Sequence, residues 1–226
     1  MKIRELSLFC LDLNAEKAFY NNTLGFPITN ESANSFTIKI GWSKLSFIKS
    51  SIQHKYHYCF LIPSNKLNEA FNWLEKKTKI LEIEPNKKIQ NFQSWNAYSF
   101  YFYDANGNIA EFIVRKDLKN DTKDSFSIND VLCVNEIGIP TTNIQKYNDL
   151  LVEKMNSPFW KGNTISFGTN GSQEGLFLLP NYKKRSKWFP TDISIKPSPF
   201  NALIENNNFF YKMNFLNESL IIKKND

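Results

Sequence analysis

Histidine, cysteine and glycine are scarce in this chain, and long apolar runs are missing. Its 226 residues include two histidines, three cysteines and eight glycines. Any imidazole chemistry must therefore use His54 or His57. No run approaches the roughly 18 apolar residues of a membrane-spanning helix. Glu5 and Asp12 interrupt the first strand-like segment, which argues against a secretory signal. The sequence predicts no membrane partner.

The three cysteines do not form a disulfide framework. Cys10, Cys59 and Cys133 are widely spaced, and each lies inside an apolar run without a C-x-x-C spacing. An odd, scattered set of this kind is typical of reduced thiols in a protein core. We therefore expect three free, buried cysteines in a cytoplasmic protein.

The positive charge of the chain is spread over many single lysines. The formal net charge is +6, in a sequence that is 42% hydrophobic and 15% aromatic, which is typical of a packed globular core. One dense cluster stands out, "YKKRSKW", with Lys183, Lys184, Arg185 and Lys187. We interpret it as a solvated loop in preference to an anion or nucleic-acid patch, and we expect no nucleic-acid partner.

The order strand, helix, three strands recurs along the chain. Periodicity predicts it over residues 1–52 and again over residues 53–116. A third copy opens at "CVNEIGIPTTNIQKYNDLLVEKM", and a shortened fourth copy runs from "TDISIKPSPFNALIEN" to "NESLIIKK". Repeats of this kind predict an α+β fold of tandem βαβββ modules.

The charged segment between the second and third copies predicts a domain boundary. Residues 117–127 are polar and lack apolar periodicity, so we expect a linker there. The prediction is one domain of two modules over residues 1–116 and a second, degenerate domain over residues 128–226.

Two glutamates and one histidine occupy predicted strands where charge is costly. Glu111 shares its strand face with Ile109 and Ile113, while Glu5 and His57 lie in the first strands of modules one and two. A carboxylate on an apolar face must be paired or bound to a cation. Mixed oxygen and nitrogen ligands suit Fe(II), Mn(II), Zn(II) or Ni(II). From the residues alone, a metal site and salt-bridged or solvated glutamates both remain open.

Three stretches carry a family resemblance. "ELSLFCLDLNAEKAFYNNTLGF", "HYCFLI" and "YFYDANGNIAEFIV" resemble the vicinal oxygen chelate superfamily. This superfamily includes glyoxalase I, bleomycin-binding proteins, fosfomycin-resistance enzymes and extradiol dioxygenases. The resemblance implies paired βαβββ modules that form a U-shaped sheet around one divalent metal ion.

The resemblance also implies roles for individual residues. It makes Glu111 the carboxylate ligand, His57 the imidazole ligand, and Glu5 the ligand in the first strand, where the family most often has histidine. Ser46 matches the fourth ligand position of glyoxalase-like members. Tyr101, the candidate catalytic residue, matches a substrate-contacting tyrosine of fosfomycin-resistance enzymes. We expect Ser7, Ser46, Trp95 and Tyr101 to line the substrate pocket.

The second half of the chain lacks equivalents of two of these ligands. Glu136 matches Glu5, but Thr191 stands at the position of His57, and Ser219 or Glu218 at that of Glu111. We therefore expect the metal site to lie in the first half.

Two functions agree with these features. The first is a divalent-metal-dependent enzyme of dioxygenase, lyase or isomerase type, acting on a small oxygen-bearing substrate chelated to the metal. The alternative is a non-catalytic protein that binds or sequesters a small molecule, as bleomycin-resistance proteins do. Because modules in this superfamily pair within or between chains, the resemblance implies a homodimer as one alternative.

Overall fold

Alternating apolar residues build two curved sheets in residues 1–225, the part of the chain that the computed structural model describes. The strands are β1 (Lys2–Cys10), β2 (Ile28–Ser32), β3 (Ser35–Ile40), β4 (Ser43–Lys49), β5 (His57–Leu61), β6 (Gln90–Phe92), β7 (Ala97–Tyr103), β8 (Ile109–Arg115), β9 (Cys133–Gly138), β10 (Phe159–Gly162), β11 (Phe167–Ser172), β12 (Gly175–Pro180), β13 (Phe200–Asn206), β14 (Phe209–Leu216) and β15 (Ser219–Asn225). The helices are α1 (Leu13–Lys17), which continues as a π-helix (Ala18–Thr23), α2 (Leu67–Glu75) and α3 (Ile144–Met155).

The strand order confirms an α+β fold of βαβββ modules. Module one is β1 to β4, module two β5 to β8, and module three β9 to β12; each has a helix after its first strand. Module four is β13 to β15. The first sheet has the order β15, β14, β13, β1, β4, β3, β2, and the second has the order β10, β11, β12, β9, β5, β8, β7, β6.

Each sheet combines a module from each half of the chain. Module one pairs with module four through β1 and β13, and module two pairs with module three through β5 and β9. Each sheet therefore contains strands from both sides of the predicted boundary at 117–127. Within this segment, Phe126 packs against Trp73 and Phe112 of the first half. That residues 1–116 form a separate domain stays a prediction.

Module four departs from the predicted repeat. The predicted fourth copy opens with "TDISIKPS", but this stretch lies in a loop, and β13 takes the first-strand position beside β1. Residues 186–195 form a small hairpin in which the Trp188 N–H donates to the Ile193 carbonyl (2.9 Å). We call residues 186–195 the cover loop, because Trp188 in this loop packs against His57 of the second sheet.

The main hydrophobic core lies between the two sheets. It contains Leu6 and Leu8 of the first sheet together with Phe60 and Phe112 of the second. The buried hydroxyl of Ser43 also links the sheets: it donates to the Ile3 carbonyl (2.6 Å) and accepts from the Val134 N–H (3.1 Å). The three cysteines are free and buried, as predicted. Every helix in residues 1–225 is too short or too polar to cross a membrane.

The turn between β7 and β8 is held by buried polar groups. Asp104 accepts hydrogen bonds from the Tyr58 hydroxyl (2.5 Å) and from the backbone and side chain of Asn108 (2.8 and 2.6 Å). Asn106 bonds to Glu16 of α1 through its backbone N–H (2.9 Å) and its side-chain amide (2.7 Å). These bonds attach the start of β8 to module one.

Glu16 is a fully buried acid within this network. Burial, followed by the neighbouring charge of Asp104, raises the pKa of Glu16 from 4.5 to about 10. Glu16 is therefore protonated in the folded protein at neutral pH, and folding takes up a proton there. Because the folded-state pKa lies above the unfolded one, stability from this group is lost as pH rises from about 4.5 towards about 10.

Replacing Glu16 by glutamine should remove this pH dependence. Glu16→Gln keeps the shape and the donor of the protonated acid, so we expect wild-type stability near pH 5 and a gain on the order of 5 kcal/mol near pH 9. Urea unfolding at both pH values measures the difference. Glu31→Gln, at an exposed glutamate paired with Lys17, is the matched control. Parallel pH profiles for wild type and Glu16→Gln would contradict the prediction.

Candidate metal centre

Three adjacent strands of the second sheet bring His57, Glu111 and Glu136 together. Cys59 on β5 is paired with Glu111 on β8 and with Glu136 on β9, and His57 precedes Cys59 by two residues on the same face. One possible ligand atom from each of the three lies within 4.8 Å of the others. The residues are only 7%, 2% and 2% exposed.

A β-bulge turns Glu136 into this cluster. Phe60 pairs with Val134 and Cys59 with Glu136, so Asn135 is an extra residue in β9. Strict alternation would put Val134 and Glu136 on the same face, but Val134 lies in the core between the sheets and Glu136 lines a cavity on the other face. Bulges redirect side chains in this way, often beside functional sites.

Glu5 does not join the cluster, so the structure does not support its predicted ligand role. It lies in the first sheet, with its side chain 47% exposed and its carboxylate 3.2 Å from the Lys44 ammonium. β1 has a register shift between Ile3 and Glu5, like that in β9, which leaves Ile3 in the core and Glu5 on the open face.

Ser7 and Ser46 lie on the same open face as Glu5. They are register partners on β1 and β4, and the Ser46 hydroxyl bonds to that of Thr37 (2.8 Å). Neither serine lines the cavity beside His57, so the structure does not place them in the predicted substrate pocket.

Four of the predicted site residues do meet at one cavity of about 300 Å³: His57, Trp95, Tyr101 and Glu111. Glu136 is the residue that sequence reasoning missed. Because module two pairs with module three, this group includes a residue of the second half. That the metal site lies in the first half stays a prediction. The sequence match between Glu136 and Glu5 could have indicated Glu136 as a candidate, but only if the pairing of module two with module three had been known.

Hydrogen bonds define the orientation of the His57 ring. Its Nδ1 lies 3.1 Å from the Ile109 carbonyl oxygen, which can only accept, so Nδ1 carries a proton. Its Nε2 faces the cluster, 3.3 Å from Oε2 of Glu111. A backbone partner on one ring nitrogen is the usual way to present the other nitrogen to a metal ion.

Arg115 holds Glu136 from the other side. Its fully buried guanidinium forms an ion pair with Oε1 of Glu136, and its Nε donates to the Asn135 side chain (3.0 Å). The indole rings of Trp95 and Trp160 lie 5.6 and 5.4 Å from the guanidinium carbon. The bulge residue Asn135 and Arg115 thus fix the direction of the Glu136 carboxylate.

Burial and neighbouring charges shift the protonation of the cluster. Burial raises the pKa of Glu136 to about 7, although Arg115 and His57 act to lower it. For His57, burial acts to lower the pKa, but the hydrogen bond and charge of Glu111 outweigh it and the net pKa is raised. Burial, then Glu111, raises the pKa of Tyr101 well above 10, so its hydroxyl stays protonated.

The donor set is compatible with a divalent metal ion. It comprises an imidazole nitrogen with a fixed ring orientation and two buried carboxylates, within reach of a single ion. Such mixed ligands suit first-row transition metals, and a bound cation would offset the cost of burying two carboxylates side by side.

Aromatic side chains form the cavity walls, and one glycine makes room for the largest of them. Trp188 lies 5.3 Å from the His57 ring, and Phe189 lies 5.7 Å from Tyr101. Gly138 follows Glu136 by two residues in β9. A Cβ atom at Gly138 would overlap Cη2 of Trp188 and lie 3.0 Å from its Cζ2. The backbone at 138 therefore sets how closely the cover loop packs on the cluster.

Comparisons with known proteins find only partial structural similarities. No family model and no curated protein matches this chain. Solved structures that it resembles include a lactoylglutathione lyase from Agrobacterium tumefaciens, with 19% identity and a TM-score of 0.43 over 50% of this chain and 92% of that one. A glyoxalase/bleomycin resistance protein/dioxygenase from Alicyclobacillus acidocaldarius has 15% identity and a TM-score of 0.44, over 52% and 95%.

A third resemblance is to the fosfomycin resistance protein FosX from Listeria monocytogenes, solved with Mn(II) and sulfate. Identity is 20% and the TM-score 0.38, over 48% of this chain and 86% of that one. Each of these three alignments covers about half of this chain.

Gly138→Ala should displace Trp188 and loosen the cover loop. We expect a loss of about 1–3 kcal/mol, as for other overpacked sites, and a red-shifted tryptophan emission. Urea unfolding and fluorescence measure both effects. Trp188→Leu removes the overlapping ring, so the double variant should cost less than the sum of the two single ones. Additive costs would show that Gly138 and Trp188 are not coupled.

Proposed function

We propose that this protein is a divalent-metal-dependent enzyme that binds a small oxygen-bearing molecule in the cavity above β5, β8 and β9. The observation that supports the proposal is the convergence of His57, Glu111 and Glu136, all buried, at the floor of a cavity lined by aromatic side chains. His57 through Nε2 and one oxygen each from Glu111 and Glu136 are the proposed ligands. Fe(II), Mn(II), Zn(II) and Ni(II) are the candidate ions.

When bound, a divalent ion would supply Lewis-acid stabilisation of an anionic oxygen on the substrate. The side chains around it have separate tasks. Ile109 fixes the His57 ring, and Arg115 fixes Glu136. Tyr101 keeps its proton and lines the cavity, so its hydroxyl can donate a hydrogen bond to a bound molecule. Trp188 of the cover loop excludes water from one side of His57.

One observation favours a second candidate function, a non-catalytic small-molecule binding protein. His57 is within ion-pair distance of Glu111, and Arg115 pairs with Glu136, so the four groups can balance their charges without a metal ion. The aromatic cavity would then serve for sequestration. The oligomeric state stays a prediction in either case.

Metal analysis separates the two functions. Purified protein incubated with Mn(II), Fe(II), Zn(II) or Ni(II) and then desalted should retain about one ion per chain. His57→Ala and Glu111→Gln should each weaken retention by at least about tenfold, since loss of one of three ligands removes much of the affinity.

Glu5→Gln is the matched control, because Glu5 lies on the other sheet and should leave retention unchanged. Circular dichroism confirms that each variant is folded. If the wild type retains no ion, or if all variants retain it equally, the metal-dependent function is rejected and the binding-protein function remains.

A further inference from the structure

The basic cluster "YKKRSKW" is divided by the structure into two parts. Arg185 and Lys187 line the cavity above His57. Both are exposed whereas His57 is buried, so we place the two cations at the mouth of the cavity. Lys183 and Lys184 do not line it, and the Lys183 ammonium lies over the ring of Tyr182 at 5.6 Å. Two cations from one short segment thus face the cavity that the proposed function uses.

Arg185 is held at the mouth by an aromatic wall. Its guanidinium carbon lies 5.1 Å from the ring centroid of Phe167, which also lines the cavity. Stacking on an aromatic face leaves the N–H edge of an arginine free for a planar anion. Among residues 1–225, no carboxylate lies within 4.0 Å of the Arg185 guanidinium. Its charge is therefore open to a ligand.

Lys187 adds a second positive charge, and its ion-pair partner binds it only weakly. It pairs with Asp192, whose side chain is 94% exposed. Exposed pairs of this kind contribute little and are readily exchanged. The acidic residues that line the cavity are Glu111 and Glu136, at the floor, so the charge of the cavity is divided between an acidic floor and a basic mouth.

The walls between floor and mouth suit a flat apolar body. Phe92, Trp95, Tyr101, Trp188 and Phe189 contribute aromatic surface to a volume of about 300 Å³. A single ring system fits such a space, and aromatic walls favour stacking or edge contacts with it.

We propose that the cavity selects a flat aromatic or other apolar ligand that carries one anionic group, a carboxylate or a phosphate, bound at the mouth by Arg185 with support from Lys187. The inference rests on the proposed function in that the opposite end of the ligand meets His57, Glu111 and Glu136. The anion contact itself is independent of a metal ion.

Isothermal calorimetry with a matched pair of probes tests this selectivity. 2-Naphthoate and 2-naphthamide share a ring system and differ in charge, and 2-naphthyl phosphate replaces the carboxylate by a phosphate. Wild-type protein should bind one of the two anionic probes about tenfold tighter than the amide, the size of one charge-assisted contact. The tighter of the two anions identifies the anionic group. The preference should narrow with added salt.

Variants assign the preference to the cavity mouth. Arg185→Gln should bring the anion-to-amide affinity ratio close to one without weakening the binding of 2-naphthamide. Arg185→Lys should retain part of the preference for the anion. Lys183→Gln, outside the cavity, should leave the ratio unchanged. Equal wild-type affinity for all three probes overturns the proposal. So does an Arg185→Gln variant that loses all three probes equally, since this would indicate a purely structural role.

Measuring the ratio both with a chelator and with added Zn(II) keeps the two proposals distinguishable. A preference for the anion in a protein that retains no metal would reject the metal-dependent function and support this inference. Metal retention without any preference for the anion would support the metal-dependent function and reject this inference.

Discussion

The antiparallel pairing of β5 with β9 is the interaction on which the site depends. It joins module two to module three. It also places Glu136 of β9 beside Cys59 of β5, and Glu111 of β8 lies beside the same cysteine on the other side. The bulge at Asn135 completes the arrangement, because without it Glu136 would point into the core. A register shift of one residue in β9 would replace a buried carboxylate in the cavity with an apolar or amide side chain.

The cluster also brings four charged side chains together in the protein interior. His57, Glu111, Arg115 and Glu136 are all buried, and buried ions are tolerated only when others compensate them. Two ion pairs and backbone contacts provide that compensation in the protein. A bound divalent ion would change the balance by displacing protons from His57 and Glu136, whose pKa values are raised. Such an arrangement costs more than an apolar core of equal volume, which favours a functional role.

Local patterns in the sequence were sufficient to predict the first three modules, the α+β class and the positions of His57 and Glu111. The differences between prediction and structure arise from contacts between residues that are far apart in sequence. The pairing of modules depends on such contacts. The sequence therefore pointed to Glu5, whereas the structure groups Glu136 with His57 and Glu111. The bulge at Asn135 interrupts the alternation of side chains in β9, and the sequence analysis used that alternation to assign residues to sheet faces. Module four lacks the helical period, and its region supplies the cover loop, whose Trp188 fits only because residue 138 is glycine.

The central claim is that one divalent ion binds between His57, Glu111 and Glu136. Anomalous diffraction from crystals soaked with Zn(II), recorded above and below the zinc absorption edge, tests it most directly. The account predicts one strong anomalous peak in the cavity, at about 2.0–2.2 Å from Nε2 of His57 and from one oxygen of each glutamate. Zinc bound elsewhere, as at Glu5, with no peak in this cavity, would contradict it.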